Sequence, residues 1–325
     1  FAEANPAHRG MGTTFVGLVT VGALAILGHV GDSRIYLLRR GHVHRLTEDH
    51  TFVASQLKAG QITAEEAEKS PYKSVLLRGV GNQPTVEVDT LVVELVEGDE
   101  FLMCSDGLHG YVTDEEIPGI FADAKLRDTP ATLIALANTR GGKDNITALV
   151  LRVSGGKDES EDDIQAEARM EALEQLPLFY HFTYKERSAV LSAAHTRVYA
   201  AGDEIVAEGA MGDELFIVVR GRVVVEKGGV PIASLGAGGH FGEMGLIESQ
   251  PRSATVRAEE PTRVVTLGQA DVMNLMRREQ EIAVKLLWSL VQVLSQRLRT
   301  ANAGLSEALS ELAHATGPET RPFRT

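Results

Sequence analysis

Glycine punctuation limits what the second half of this chain can fold into. From Gly202 onward the short apolar runs Glu204–Ala207, Leu215–Val219, Val223–Lys227 and Pro231–Leu235 are separated by Gly209, Gly212, Gly221, Gly228 and Gly229, and Ala254–Arg257 follows. Each run is too short for a stable helix, and glycine supplies the positive φ that tight reversals between strands require. Short strands at regular spacing predict a β-roll or barrel. Past Ala270 the period changes. Ile282, Leu286, Leu290, Val293 and Leu298 mark one stripe of an amphipathic helix that runs to about Leu312.

The first half alternates strand-like and helical patterns. Leu24–Val30 and Arg34–Leu38 read as strands, with Arg39-Arg40-Gly41 starting the next turn. Leu91–Val96 and Phe101–Cys104 are two more, joined by Glu97-Gly98-Asp99, and Ile146–Val153 is another. Thr63–Lys69 and Pro130–Asn138 read as short helices, the first opened by a Thr63/Glu66 capping box. Between the halves, Ser154 to about Asp163 is small, polar and acidic, and reads as a linker leading into an acidic helix over Ile164–Leu176, with a further helix at Lys185–Ala194. The expected division is 1–153, then a linker and helix start over 154–172, a second domain over 173–315, and a disordered tail over 316–325. The expected class is α+β.

The net charge of −13 argues against nucleic-acid binding, which needs concentrated Lys and Arg. The one cysteine, Cys104, sits in the apolar run Phe101-Leu102-Met103, so it reads as a buried thiol in a reducing compartment. No apolar run is long enough for a membrane span and no signal peptide is visible, so the expected location is cytoplasmic without membrane contact. The chain opens at Phe1 without a Met, which suggests sequence upstream.

The chemistry concentrates in Phe241-Gly242-Glu243-Met244-Gly245-Leu246 and Arg252-Ser253-Ala254-Thr255. Gly242 lets backbone approach an anion, Glu243 can accept from a sugar hydroxyl, Arg252 can grip phosphate oxygens with two donors, and Ser253 adds a hydroxyl. Glu243 and Arg252 taken alone read equally as an ordinary ion pair. With Gly202–Gly221 and the entry phrase Leu176-Pro177-Leu178-Phe179, however, residues 173–300 closely resemble the cyclic nucleotide-binding domain family. By that resemblance Gly242, Glu243, Met244, Arg252 and Ser253 bind the ligand, with Glu243 on the ribose and Arg252 on the cyclic phosphate. Cyclic AMP and cyclic GMP both stay open. Val272–Thr300 would be the lid and hinge, or a homodimer seam. No helix-turn-helix follows, which argues against a transcription factor.

A second set of phrases lies upstream: Gly10-Met11-Gly12-Thr13-Thr14, His29-Val30-Gly31-Asp32-Ser33-Arg34, Leu46-Thr47-Glu48-Asp49-His50, Cys104-Ser105-Asp106-Gly107 and Gly142-Lys143-Asp144-Asn145-Ile146-Thr147. In this order they resemble the metal-dependent protein phosphatase family called PP2C. The resemblance implies an αββα sandwich of two sheets flanked by helices. It implies phosphoserine and phosphothreonine protein substrates and two Mn²⁺ or Mg²⁺ ions. Asp106 and Asp144 would be metal ligands, Asp32 would serve a third ion, and Gly60–Ser70 would be a mobile flap.

The family's Glu-Asp pair and Asp-Gly-x-x-Gly segment, which supply its bridging carboxylates, do not occur before Gly10. Phe1–Arg9 resembles the end of the helix that follows them. The expectation is therefore an incomplete sandwich with exposed edges and an unfilled core, and a chain with little phosphatase activity. Two readings result: a cyclic-nucleotide-regulated Ser/Thr protein phosphatase represented by a fragment, or a non-catalytic sensor or scaffold with a degenerate phosphatase fold. A cyclic-nucleotide-dependent kinase subunit is weaker, because neither a kinase glycine loop nor a His-Arg-Asp loop occurs.

Overall fold

A computed structural model describes residues 6–8, 10–154, 161–247 and 250–315. Most of the acidic run, most of Phe1–Arg9 and all of the expected disordered tail lie outside these residues. The first half stacks two antiparallel sheets. One, in the order β1 (Phe15–Val21), β2 (Leu24–Val30), β5 (Asp89–Glu94), faces a second ordered β4 (His42–Arg45), β3 (Arg34–Arg39), β6 (Glu100–Cys104), β7 (Ala148–Arg152). Strand alternation sends Ala25, Leu27, Leu91 and Val93 inward against Ile35, Leu37, Phe101 and Met103, all nearly inaccessible. The turn after β3 is left-handed at Arg40 (φ 52°) and Gly41 (φ 78°), matching the sheet twist.

The outer faces of the two sheets differ. On the second, Tyr36, Leu38, Leu102 and Cys104 are covered by α3 (Asp106–His109), α4 (Ile117–Asp123) and α5 (Thr129–Thr139) through Leu108, Phe121, Leu133 and Ala137. On the first, Phe15, Val19, Val21, Leu24 and Ile26 remain 38–62% exposed. The exposed apolar positions thus lie on one outer face, and the core between the sheets is filled, contrary to the expectation of an unfilled one. Cys104 is buried as expected, its thiol pushed up to about 12 by desolvation. Helices α1 (Phe52–Lys58) and α2 (Ala64–Lys69) project from the loop after β4, and α2 carries the Thr63/Glu66 capping box.

The helices after the acidic run do not behave as linker. In α6 (Glu161–Glu174), Met170 packs at the sandwich core and Arg169 pairs with Glu94 at 2.5 Å. In α7 (Tyr184–Ser192), Tyr184 enters that core, accepts from Arg39 at 2.7 Å and stacks on His44. Ser188 donates to the Val92 carbonyl.

The second half is a roll of two four-stranded sheets. One is β14 (His240–Phe241), β11 (Glu214–Arg220), β17 (Thr262–Gly268), β8 (His195–Tyr199). The other is β13 (Val230–Leu235), β12 (Val223–Lys227), β16 (Thr255–Ala258), β9 (Glu204–Val206). Phe216, Val218, Val223, Val256 and Val264 fill the space between them. A small pair, β10 (Met211–Gly212) with β15 (Gln250–Pro251), closes one rim. Instead of one continuous C-terminal helix there are two, α8 (Gln269–Arg278) and α9 (Gln280–Ala315), broken at Glu279 (φ −121°, ψ 90°). Ile282, Leu286 and Leu290 pack under the roll as the stripe predicts, but Leu298 is 63% exposed.

Candidate functional site

The anion cradle of the roll is assembled from three glycine-bearing segments around one guanidinium. The backbone of Arg252 is pinned to the opposite loop, its N–H donating to the Ala210 carbonyl and its carbonyl accepting from Gly209, both at 2.8 Å. That pairing delivers the side chain across Gly212, where a Cβ would collide with the guanidinium. A Cβ on Gly242 would lie 2.5 Å from Arg252 Nη1 and 2.7 Å from the Glu214 carbonyl, and Gly242 also sits at φ 81°. Glycine is required here by both space and backbone angle.

Arg252 donates Nη2 to the Glu214 carbonyl at 2.8 Å and Nη1 to the Gly242 carbonyl at 3.3 Å, and lies over the Phe216 ring at 5.6 Å. Burial lowers its pKa, against the pull of Glu214, Asp213 and Glu243. It forms no ion pair with a carboxylate among the described residues, so the simple Glu243–Arg252 pair is not what holds the site together. A cation whose hydrogen bonds all go to carbonyls retains full appetite for an anion. Glu243 is 6% exposed at the start of a 3-10 turn over Glu243–Leu246. Met244 is half exposed, and Ser253 faces solvent two residues before β16.

The second set of residues comes from the N-terminal half. Asp32 lies on the loop between β2 and β3, Asp106 opens α3, and Asp144 is exposed before β7. Ser105 Oγ accepts from the Thr147 N–H at 3.0 Å, and Gly107 packs so closely on the Asn145 carbonyl that a Cβ would clash. These contacts lay the Asp106 turn on the loop that carries Asp144. The carboxyl of Asp32 is pushed up to about 6 by desolvation, then by the charges of Asp106 and Asp49. Crowded carboxylates of this kind suit a hard divalent cation with oxygen ligands. The fit is partial. Asp106 and Asp144 each bond their own following amide, at 2.8 and 2.7 Å. The three carboxylates are also not among the described groups whose donor atoms converge within 4.8 Å.

Several residues support this loop in roles that the sequence does not assign to them, although Arg34, Asp49 and His50 stand in its recognised phrases. Arg34 forks onto Asp49 at 2.9 and 2.6 Å, His109 Nε2 lies 2.9 Å from the Asp32 carbonyl, and the His50 N–H donates to the Gly31 carbonyl at 2.8 Å. The set that does converge is His29, His50 and Asp89. His50 Nδ1 accepts from the Gly31 N–H at 3.2 Å, which leaves the proton of the neutral ring on Nε2, 3.3 Å from Asp89. That protonation pattern favours an acid–imidazole contact over a metal ligand.

Comparison with known proteins agrees with this division. Residues 2–149 match the protein phosphatase 2C family model and residues 196–279 the cyclic nucleotide-binding domain model. The chain is 43% identical over 149 residues to the protein phosphatase PhpP of Streptococcus pneumoniae, covering 46% of this chain and 61% of that protein. Among solved structures it is similar to the Mycobacterium tuberculosis serine/threonine phosphatase PstP/Ppp (38% identity, TM-score 0.45, 47% of this chain and 65% of that one). It is likewise similar to the catalytic domain of PstP in complex with two manganese ions (37% identity, TM-score 0.44, 47% and 64%). The chain spans 61% of the length of the curated relative it matches. The first half of the chain is thus similar to the PP2C-type phosphatases, and the same chain carries a second segment that matches the cyclic nucleotide-binding domain model.

Proposed function

We propose that this chain is the nucleotide-sensing part of a metal-dependent Ser/Thr phosphoprotein phosphatase, with Gly242, Glu243 and Arg252 as the cyclic-nucleotide contacts. The observation that carries the reading is the half-buried Arg252 guanidinium, set in glycine backbone and, among the described residues, hydrogen-bonded to carbonyls and to no carboxylate. Arg252 is assigned to the cyclic phosphate and Glu243 to the ribose hydroxyl. Ser253 and Met244, both at the solvent side, are assigned to the base end, where cyclic AMP and cyclic GMP differ.

On the phosphatase side, Asp106 and Asp144 would hold Mn²⁺ or Mg²⁺, with Asp32 at a third, weaker position. When bound, the ions supply an activated water and neutralise the phosphoryl oxygens. The protein's own part is positional: Arg34, Asp49 and His109 hold the Asp32 loop, and Ser105 holds the Asp106 turn. Because the three carboxylates do not converge, residues 1–325 alone bind metal weakly and turn over little phosphate. That same observation supports the second reading, a non-catalytic sensor. A p-nitrophenyl phosphate assay with Mn²⁺ tests the inactivity, which robust turnover would refute. A phosphopeptide assay on the full-length protein, with and without cyclic nucleotide, tests regulation; an unchanged rate at saturation would end that reading.

The face of α9 opposite the roll carries Val284, Leu287, Trp288 and Val291, each more than half exposed. We assign this stripe to a second copy of the chain.

A further inference from the structure

A third set of charges lies on the seam between the halves. Lys58, the last residue of α1, is 2.5 Å from Glu48 and 3.0 Å from Glu281 in the first turn of α9. Lys185 on α7 is 3.2 Å from the same Glu48 and 3.9 Å from Asp89. Lys285, one turn further along α9, holds both oxygens of Glu186 at 2.8 Å. These groups line a cleft of about 540 Å³ between the phosphatase segment and the helices of the roll.

Charges alternate along this seam, and the middle ones are shared. Glu281, Lys58, Glu48, Lys185 and Asp89 follow one another, so displacing one end redistributes the partners of the rest. At one end, Glu281 lies two residues beyond the break at Glu279, where the backbone leaves the helical conformation between α8 and α9. At the other, Glu48 is followed directly by Asp49 and His50. Arg34 clasps Asp49, and His50 exchanges two hydrogen bonds with Gly31, next to Asp32. Gly31 has little room to yield, since it sits at φ 108° and a Cβ there would strike Thr14. The route from the roll's helix to the carboxylate loop is thus short and continuous.

We propose that Glu48, Lys58, Lys185 and Glu281 form an interdomain latch through which the first turn of α9 sets the position of the Glu48–His50 segment, and with it Asp32. The reading of residues 196–279 as a nucleotide sensor enters only in saying what moves α9; the latch itself is a contact of the ligand-free protein as well. Exposed ion pairs are individually weak, so the latch transmits position and adds little stability.

Hydrogen exchange on the full chain tests it, comparing wild type, Lys58→Met, Glu281→Gln and the double variant. Each single change speeds exchange about two- to fivefold over residues 28–34 and 46–59, and the double variant goes no faster than either single one. A change confined to residues 279–290, or strictly additive effects, overturns the latch. A second arm adds saturating cyclic AMP. Exchange over 46–59 then responds in wild type and not in Glu281→Gln. Nucleotide that binds by calorimetry yet leaves 46–59 unchanged in wild type also overturns the latch. Absence of binding instead strikes the sensor reading, and the ligand-free comparison still decides the latch.

Discussion

The two candidate sites are built from opposite materials. In the roll, one half-buried cation is fixed by the close approach of Gly212, Gly242 and Gly245 and by two carbonyls. In the phosphatase segment, three carboxylates sit on separate segments, two of them bonded to their own next amide and one pushed toward neutrality by burial and then by its neighbours. Close steric definition makes the first a site formed in advance of its ligand. The second is a set of carboxylates that do not meet at one point. The surrounding packing differs in the same direction. In the roll, the β11–β17 sheet is packed on both faces, by Phe216, Val218 and Val264 within and by the helices beneath, whereas the β1–β2–β5 sheet leaves a row of apolar side chains in solvent.

The largest effect that would break this comparison is on ligand binding. Arg252→Ala removes two charge-assisted donors, at about 1.5–3 kcal/mol each, so cyclic-nucleotide affinity falls by more than about 100-fold while the melting temperature barely moves. Equal affinity in the variant, read by fluorescence competition, would mean that the cradle is not the site.

Next comes a stability difference inside the phosphatase segment. Asp99 is 1% exposed, forks onto Arg39 with both bonds at 2.7 Å and accepts from the Val96 N–H. Asp99→Ala removes both carboxylate bonds of the Arg39 guanidinium, leaving it the Tyr184 hydroxyl and the Glu94 carbonyl, and costs about 3–5 kcal/mol by urea titration. A loss under 1 kcal/mol would show that this half is more plastic than its core suggests.

A smaller change concerns assembly. Trp288→Asp on the exposed α9 stripe converts a two-copy species to a single copy in light scattering with detection after size-exclusion. An unchanged mass for the wild type and variant removes the second copy from the account.

The smallest is a pH effect at the seam. Burial, then the charges of Arg39 and Arg187, holds His44 down at about 4 against an ordinary 6.5. The unfolded chain therefore takes up a proton that the folded one refuses, and stability falls as pH drops from 6.5 toward 4. His44→Gln flattens the melting-temperature profile over that window; an unchanged acid slope would place the loss elsewhere.

Much of this architecture was legible because its signals are local. Leu24–Val30 and Val223–Lys227 are strands over the residues expected, and the Thr63/Glu66 box caps its helix. The anion cassette was readable for the same reason, since Gly242, Glu243 and Arg252 lie within one short stretch. β17 was missed although it is central to its sheet. Thr262 to Leu267 is buried on both faces, so it lacks the alternation that marks a half-buried strand. Its edge partner β8 is nearly all exposed and carries no apolar pattern. The Arg39–Asp99 fork, the Arg34–Asp49 fork and the entry of Tyr184 into the sandwich join residues far apart in sequence, which no window can see. The break at Glu279 has neither glycine nor proline to announce it. The acidic run suggested separation between the halves, yet α6 and α7 are held to the sandwich by Met170, Arg169, Tyr184 and Ser188.

The central claim is that the roll holds a formed anion site while the carboxylate set does not. Isothermal calorimetry of this chain with cyclic AMP and cyclic GMP, beside the Arg252→Ala variant, addresses it most directly. The account predicts saturable one-site binding of at least one nucleotide, abolished by the substitution. Heat indistinguishable from dilution for both nucleotides, or binding untouched by loss of Arg252, would contradict it.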